Sequence, residues 1–248
     1  MSYNPFSLDG KITLITGASS GIGQATAIEC SKMGAKVIIT ARNEERLNET
    51  FAQLEGDGHQ KIIADLTIPE DLDRLIESIP QLDGLVNNAG VIKTLPLKFI
   101  NEHDLINILN INTFTPVFLT QRCIKKKKFS KKASIVFSSS VGGVYKVSLG
   151  NSMYEMSKNA IDAFMRSAAL ELAHNGIRCN SVNPGMIETP LIHRGTYSEE
   201  DRRKDIEKYP LKKYGQPQEV AFGIIYLLSD ASAWVTGTSL KIDGGVTL

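Results

Sequence analysis

Short apolar runs rich in β-branched residues alternate along this chain with stretches whose apolar positions recur at helical spacing. Residues 11–16 (KITLIT), 36–40 (KVIIT), 61–64, 84–87, 133–138, 177–182 and 239–242 read as buried strands. Between them the pattern predicts helices over 21–33, closed by Gly34, and from an Asn43 cap to Leu54. A helix over 69–79 carries proline in its first turn, and a long one runs from an Asn101 cap to about Ile124, kinked at Pro116. Further helices are expected over 152–174, ending at Asn175-Gly176, and over 217–228. Strand–helix alternation at this spacing predicts one α/β domain over 1–248, a doubly wound parallel sheet of seven strands with helices on both faces. Residues 187–210 break the pattern: they are charged, weakly periodic and follow a strand end, where long excursions cover ligand crevices.

Composition narrows the partners. A chain of 248 residues with net charge +1 has room for one large core and no global field toward nucleic acid or membrane. Cys30, Cys123 and Cys179 are far apart and form no CxxC, so buried thiols in a reducing compartment are expected. With no leader pattern at the start and no apolar run of spanning length, a soluble cytoplasmic protein is expected. His103, His174 and His193 lack metal-ligand spacing. The basic run 125–132 links a helix C-terminus to a strand, where cations complement the helix dipole; an acidic carrier protein is the alternative partner.

Two motifs carry chemistry. The turn Gly17-Ala18-Ser19-Ser20-Gly21-Ile22-Gly23 joins a strand to a helix, the context in which backbone N–H groups hold a pyrophosphate. Gly17 permits the sharp turn, Gly21 the approach of phosphate, and Gly23 close helix–strand packing. Tyr154 and Lys158, at i and i+4, project from one helix face. A free phenol titrates near ~10, and a neighbouring ammonium together with an oxidised nicotinamide would lower that value. The serine run 138–140 ends the fifth strand, where a hydroxyl can polarise a carbonyl oxygen.

Residues 16–23, Asn87-Asn88-Ala89-Gly90, Tyr154 to Lys158, Asn183-Pro184-Gly185 with Thr189, and Asp243-Gly244-Gly245 together resemble the short-chain dehydrogenase/reductase family, in order and over nearly the whole chain. The resemblance implies a Rossmann-type fold and a nicotinamide-dependent oxidoreductase acting on a carbonyl or secondary alcohol. It implies that Gly17, Ser19, Ser20, Gly21, Ile22, Gly23, Asp65, Leu66, Asn88, Ala89, Gly90, Tyr154, Lys158, Pro184, Gly185, Ile187 and Thr189 hold the cofactor. Asn87 and Ala89 would pack on the adenine ribose side. The catalytic set it implies is Asn112, Ser140, Tyr154 and Lys158. Ser140 stands fourteen residues before Tyr154, one more than in the family; the Val141-Gly142-Gly143 that follows it points to an insertion in the next loop. Ser139 is the alternative. Similar-length family members form tetramers through the long helices around Asn112 and Tyr154, so a homotetramer or dimer is expected.

The second strand ends at Ala41, where NAD-binding folds commonly place an acid, and Arg42 follows. An arginine there can pair with a 2′-phosphate, which favours NADP(H) and leaves NAD(H) as the alternative. The branch most similar in pattern is the 3-oxoacyl-acyl-carrier-protein reductases, although Asn175 stands where these often carry a basic residue. Lys93, Lys146, His193 and Arg194 are candidate pocket residues, hinting at a polar or anionic substrate. The reading from another class is a nucleotide-sensing binding protein without turnover.

Overall fold

The computed structural model describes residues 3–190 and 198–248. Seven strands form one sheet in the order β3-β2-β1-β4-β5-β6-β7. They are β1 (Ile12–Thr16), β2 (Lys36–Ala41), β3 (Gln60–Ile63), β4 (Leu82–Asn87), β5 (Phe129–Ser138), β6 (Arg178–Pro184) and β7 (Ser239–Ile242), and every pair is parallel. Among the described residues, the helices are α1 (Gly21–Lys32), α2 (Glu44–Phe51), α3 (Pro69–Ser78), α4 (Glu102–Leu109), α5 (Thr115–Lys125), α6 (Ser152–Leu172), α7 (Glu199–Ile206) and α8 (Pro217–Leu228).

Both faces of the sheet are apolar because side chains alternate along strands that are covered on each side. Leu14, Leu85, Ile135 and Phe137 pack with Leu72, Leu119, Ile161 and Met165 under α3, α5 and α6. Their strand neighbours Ile15, Val86 and Val136 pack with Ala27, Val220 and Ile224 under α1 and α8. After β3 the chain crosses to the other side of β1, so the winding reverses between β1 and β4. Crevices for ligands open at such reversals, beyond the carboxyl ends of the strands.

The predicted long helix is divided. α4 and α5 are joined by one π turn, Asn110–Phe114, in which the Thr115 N–H donates to the Asn110 carbonyl. The cause is Pro116: it has no N–H for the Asn112 carbonyl four residues earlier, so the turn widens. Strand β5 begins at Phe129, earlier than the sequence pattern indicated, with a register shift against β4 between Leu82 and Gly84. In the basic run, Lys128 donates to the carbonyls of Glu77 and Ile79, satisfying the end of α3. Part of the 187–210 excursion is the helix α7, capped by Ser198, whose hydroxyl accepts the Asp201 N–H at 3.1 Å. Among the described residues no helix is long and apolar enough to cross a membrane, and no cluster of His, Cys, Asp or Glu is arranged to hold a metal ion.

Candidate active site

The glycine turn leaves β1 and is bonded to the exit of β4. The Thr16 hydroxyl donates to the Val86 carbonyl and accepts the N–H groups of Asn88 and Ala89, each at 3.0 Å. The Asn88 amide donates back to the Thr16 carbonyl at 3.1 Å. Gly17 has φ +65°, and a Cβ there would lie 2.8 Å from Ala89 Cα. A Cβ on Gly23 would lie 2.3 Å from the Gly17 carbonyl oxygen. The turn therefore tolerates no side chain at either position, and the cradle it forms has the shape that backbone binding of a pyrophosphate requires. Gly21, at φ +56°, opens α1 and faces Thr189, whose methyl would meet a Cβ at 3.1 Å. Ser19, Ser20 and Ile22 are half-buried around it, and Ser20 occupies the cap position without a side-chain bond to the helix.

At the edge of this cradle Arg42 extends into solvent beyond β2, 61% of its side chain exposed, with a long 3.4 Å contact to Asp65. Asp65 accepts the Thr67 N–H and hydroxyl. Partial burial raises the Asp65 pKa, but these two bonds and the Arg42 charge outweigh it and leave the carboxyl below its usual range. Leu66 is buried, and its carbonyl accepts the Thr115 hydroxyl at 3.4 Å. Asn87 does not join the cradle: its amide turns to Thr120 on α5, because strand alternation sends Asn87 and Asn88 to opposite faces.

The second half of the site lies where β5 and β6 end against α6. Lys158 is buried and donates to the Ser138 carbonyl at 2.7 Å, with its ammonium 5.8 Å from the Tyr154 ring centre. Burial pulls its pKa from the ordinary 10.5 to about 8. Tyr154 is half-buried. Desolvation pushes its phenol above the ordinary value; a hydrogen bond with Ser140 opposes the rise and the Glu155 charge adds to it. The protein groups alone thus favour the protonated phenol; the lowering expected from the sequence also involves the charge of an oxidised nicotinamide. Gly90 sits between the Asn112 and Lys158 side chains: a Cβ there would lie 3.3 Å from Asn112 Oδ1 and 3.4 Å from Lys158 Nζ.

The three serines have separate tasks. Ser138 donates to Asn88 Oδ1 at 3.2 Å. Ser139 is buried and donates to the Lys158 carbonyl at 3.0 Å. Ser140 accepts the Gly142 N–H at 3.0 Å and lowers the Tyr154 pKa against the rise from burial. Its carbonyl accepts the Asn183 amide, and Pro184 accepts the Val141 N–H, so the end of β6 fixes this serine. Gly185 is tied to β7 through the Ile242 carbonyl at 3.0 Å. Ile187 and Thr189 are both buried beyond it.

Asn112, in the π turn, uses its amide on both backbone groups of Val91, at 2.8 and 2.9 Å, and donates to Ser157 at 3.0 Å. Sequence reasoning missed Ser157 and Thr113, which lock the π turn to α6. It also missed Glu155, a buried carboxylate that accepts the Ser148 N–H at 2.7 Å and pins the loop between Ser140 and Tyr154. Thr16 carried a signal, a hydroxyl directly before the glycine turn; Glu155 carried none beyond its place beside Tyr154. Of the candidate pocket residues, Lys93 is committed to Asp104 at 2.6 Å, with Asn101 on the same carboxylate. His193 and Arg194 lie outside the described residues.

A reversed-winding parallel sheet, a glycine cradle on β1, and Tyr154 and Lys158 on α6 beside the serines that end β5 define a nicotinamide-dependent oxidoreductase of the Rossmann type. The chain belongs to the short-chain dehydrogenase/reductase family, and the family described as enoyl-(acyl carrier protein) reductase matches residues 17–247. It is 35% identical over 247 residues to the 3-oxoacyl-[acyl-carrier-protein] reductase of Thermotoga maritima, covering 97% of this chain and 99% of that one. Among solved structures it resembles a 3-ketoacyl-(acyl-carrier-protein) reductase of Brucella melitensis complexed with NADH, at TM-score 0.89 and 28% identity, covering 98% of this chain and all of that one (100%). It is equally similar in fold, at TM-score 0.89 and 26% identity, to a protein of Beutenbergia cavernae described as an NAD(P) dependent gluconate 5-dehydrogenase, with NADP bound at low occupancy; 98% of this chain and 99% of that one are covered.

Proposed function

We propose that this protein is an NADP(H)-dependent oxidoreductase in which Tyr154 exchanges a proton with a carbonyl or secondary alcohol. The nicotinamide, when bound, supplies or accepts the hydride. One observation carries the reading: Lys158 is buried against the Ser138 carbonyl with its ammonium 5.8 Å from the Tyr154 ring, at the strand ends next to the glycine cradle. Tyr154, held protonated by its surroundings, is the proton donor in the reducing direction. Ser140 hydrogen-bonds the carbonyl oxygen, Lys158 positions the cofactor ribose, and Asn112 holds the backbone at Val91 that walls the crevice. Gly17, Gly21 and Gly23 with Ser19, Ser20 and Ile22 hold the pyrophosphate, Arg42 the 2′-phosphate, and Asp65 and Leu66 the adenine. Asn88, Ala89 and Gly90 line the ribose side, and Pro184, Gly185, Ile187 and Thr189 the nicotinamide side. The working unit is a single-domain subunit in a cytoplasmic homotetramer, with part of 187–210 covering the substrate. Buried free thiols at Cys30, Cys123 and Cys179 support a reducing compartment.

The test is steady-state oxidation of NADPH with a panel of ketones. Tyr154→Phe should reduce turnover by at least ~10²-fold while NADPH still binds. Wild-type inactivity on every ketone, with intact cofactor binding, would favour the nucleotide-sensing alternative. A narrower reading, a 3-oxoacyl-acyl-carrier-protein reductase, is favoured by the relative from Thermotoga maritima and by the exposed Lys125 and Lys126 at the end of α5. It requires that a 3-oxoacyl group on carrier protein be reduced faster than the same group on a small thiol.

A further inference from the structure

Helix α7 buries none of its side chains, so apolar packing does not explain how it is held against the sheet end. Its polar contacts do. Arg202 pairs with Glu188, with 34% and 19% of the two side chains exposed. The guanidinium lies 5.8 Å from the Tyr214 ring centre, and the Tyr214 hydroxyl donates to Asp205 at 2.9 Å. Tyr209, which follows the helix, accepts the Met186 N–H at 3.2 Å and packs edge-on against Tyr214. Two of these contacts, Arg202 with Glu188 and Tyr209 with Met186, fall on residues 186–188, whose backbone is further bonded to Gly215 through the Glu188 N–H and the Met186 carbonyl. Glu188 stands between buried Ile187 and Thr189, and Thr189 in turn faces Gly21 at the start of α1.

We propose that Arg202 is a positioning residue for the nicotinamide half of the cofactor. It acts through Glu188 to fix the backbone that carries Ile187 and Thr189. This rests on the functional reading above, which places those two residues on the nicotinamide side. The ion pair is partly desolvated and bears on a short segment, so it sets the geometry of one half of a bipartite site. Among the described residues, no hydrogen bond or ion pair joins α7 to the glycine turn or Arg42, where the adenine half is held.

The experiment compares two ligands in the full-length protein: the intact dinucleotide that binds more tightly, and its adenine half alone (2′,5′-ADP for NADP(H), AMP for NAD(H)). Arg202→Gln and Glu188→Gln should each raise the dinucleotide Kd by roughly three- to tenfold, the range of a partly exposed charged pair. The adenine half should bind as before. The double variant should lose less than the two single losses combined, because both singles break the same ion pair. Arg202→Lys, which keeps the charge, should recover part of the loss. Equal weakening of both ligands would show a general structural role and overturn the proposal, as would unchanged binding of both. A wild-type protein that binds the adenine half but no dinucleotide would overturn the functional reading itself, and this proposal with it.

Discussion

At the residue scale the serine run separates what sequence can and cannot decide. Ser138, Ser139 and Ser140 are chemically identical in the string, and the extra residue before Tyr154 left the register open. The structure commits Ser139 to the Lys158 carbonyl, whereas the Ser140 hydroxyl accepts the Gly142 N–H and acts on the Tyr154 phenol. Ser140→Ala should therefore lower turnover by about 10²-fold or more, while Ser139→Ala should act mainly on stability; parallel assays of the two check this. Lys158 gives a second expectation. Its folded pKa of about 8 lies below its ordinary 10.5, so the unfolded chain binds more protons between those values. Its contribution to stability thus improves as pH rises through that window and is least favourable below it. Lys158→Met removes this cost, about 3 kcal/mol at most. Denaturant unfolding of the cofactor-free protein should show the variant's gain over wild type shrinking between pH 7 and pH 9.5. A difference independent of pH would contradict the assignment. The lysine and tyrosine were legible from their spacing; their direction of titration was not, because desolvation depends on everything packed around them.

At the element scale the strands were legible because their apolar runs meet covered faces on both sides of the sheet. The π turn was not, although its cause was in view: Pro116 denies a bond to Asn112, and the irregular turn presents that asparagine to Val91 and Ser157. Helix α7 was missed for a related reason, since a helix that buries no side chain leaves no apolar period to read. The end of β2 carries the element-scale prediction. Ala41 closes the strand and Arg42 extends into solvent with only a long contact to Asp65. Ala41→Asp with Arg42→Leu should turn preference from NADP(H) toward NAD(H). The charged hydrogen bond at stake is worth about 1.5–3 kcal/mol, roughly ten- to a hundredfold in Kd. Dissociation constants for both cofactors measure it, and wild-type preference for NADH would refute it.

At the scale of the whole molecule, the order of elements and the sheet direction followed from alternation alone, whereas subunit contacts leave a weaker trace. Ile106, Phe114, Phe118 and Met156 are exposed on α4, the π turn, α5 and α6, and Phe114 and Phe118 pack against each other at 6.5 Å. If the proposed homotetramer forms through these helices, Phe118→Glu should shift sedimentation toward smaller species by placing a charge in a desolvated contact. A variant that sediments like wild type would exclude this face. Catalytic geometry should suffer with it, since the same helices hold Asn112 and Tyr154.

The reversal between β1 and β4 also has a bearing on how the chain comes to be made. Once residue 90 has left the ribosome, the strands that pair as β3-β2-β1-β4 and the whole glycine cradle with its Thr16–Asn88 bonds are present. The partner of β4 on its other side, Phe129–Ser138, follows only after α4, the π turn and α5. During that interval β4 is an unpaired apolar edge, the form in which nascent α/β chains are most prone to mispair. Translation of residues 91–138 is therefore the stage at which a chaperone would do most to protect the growing protein.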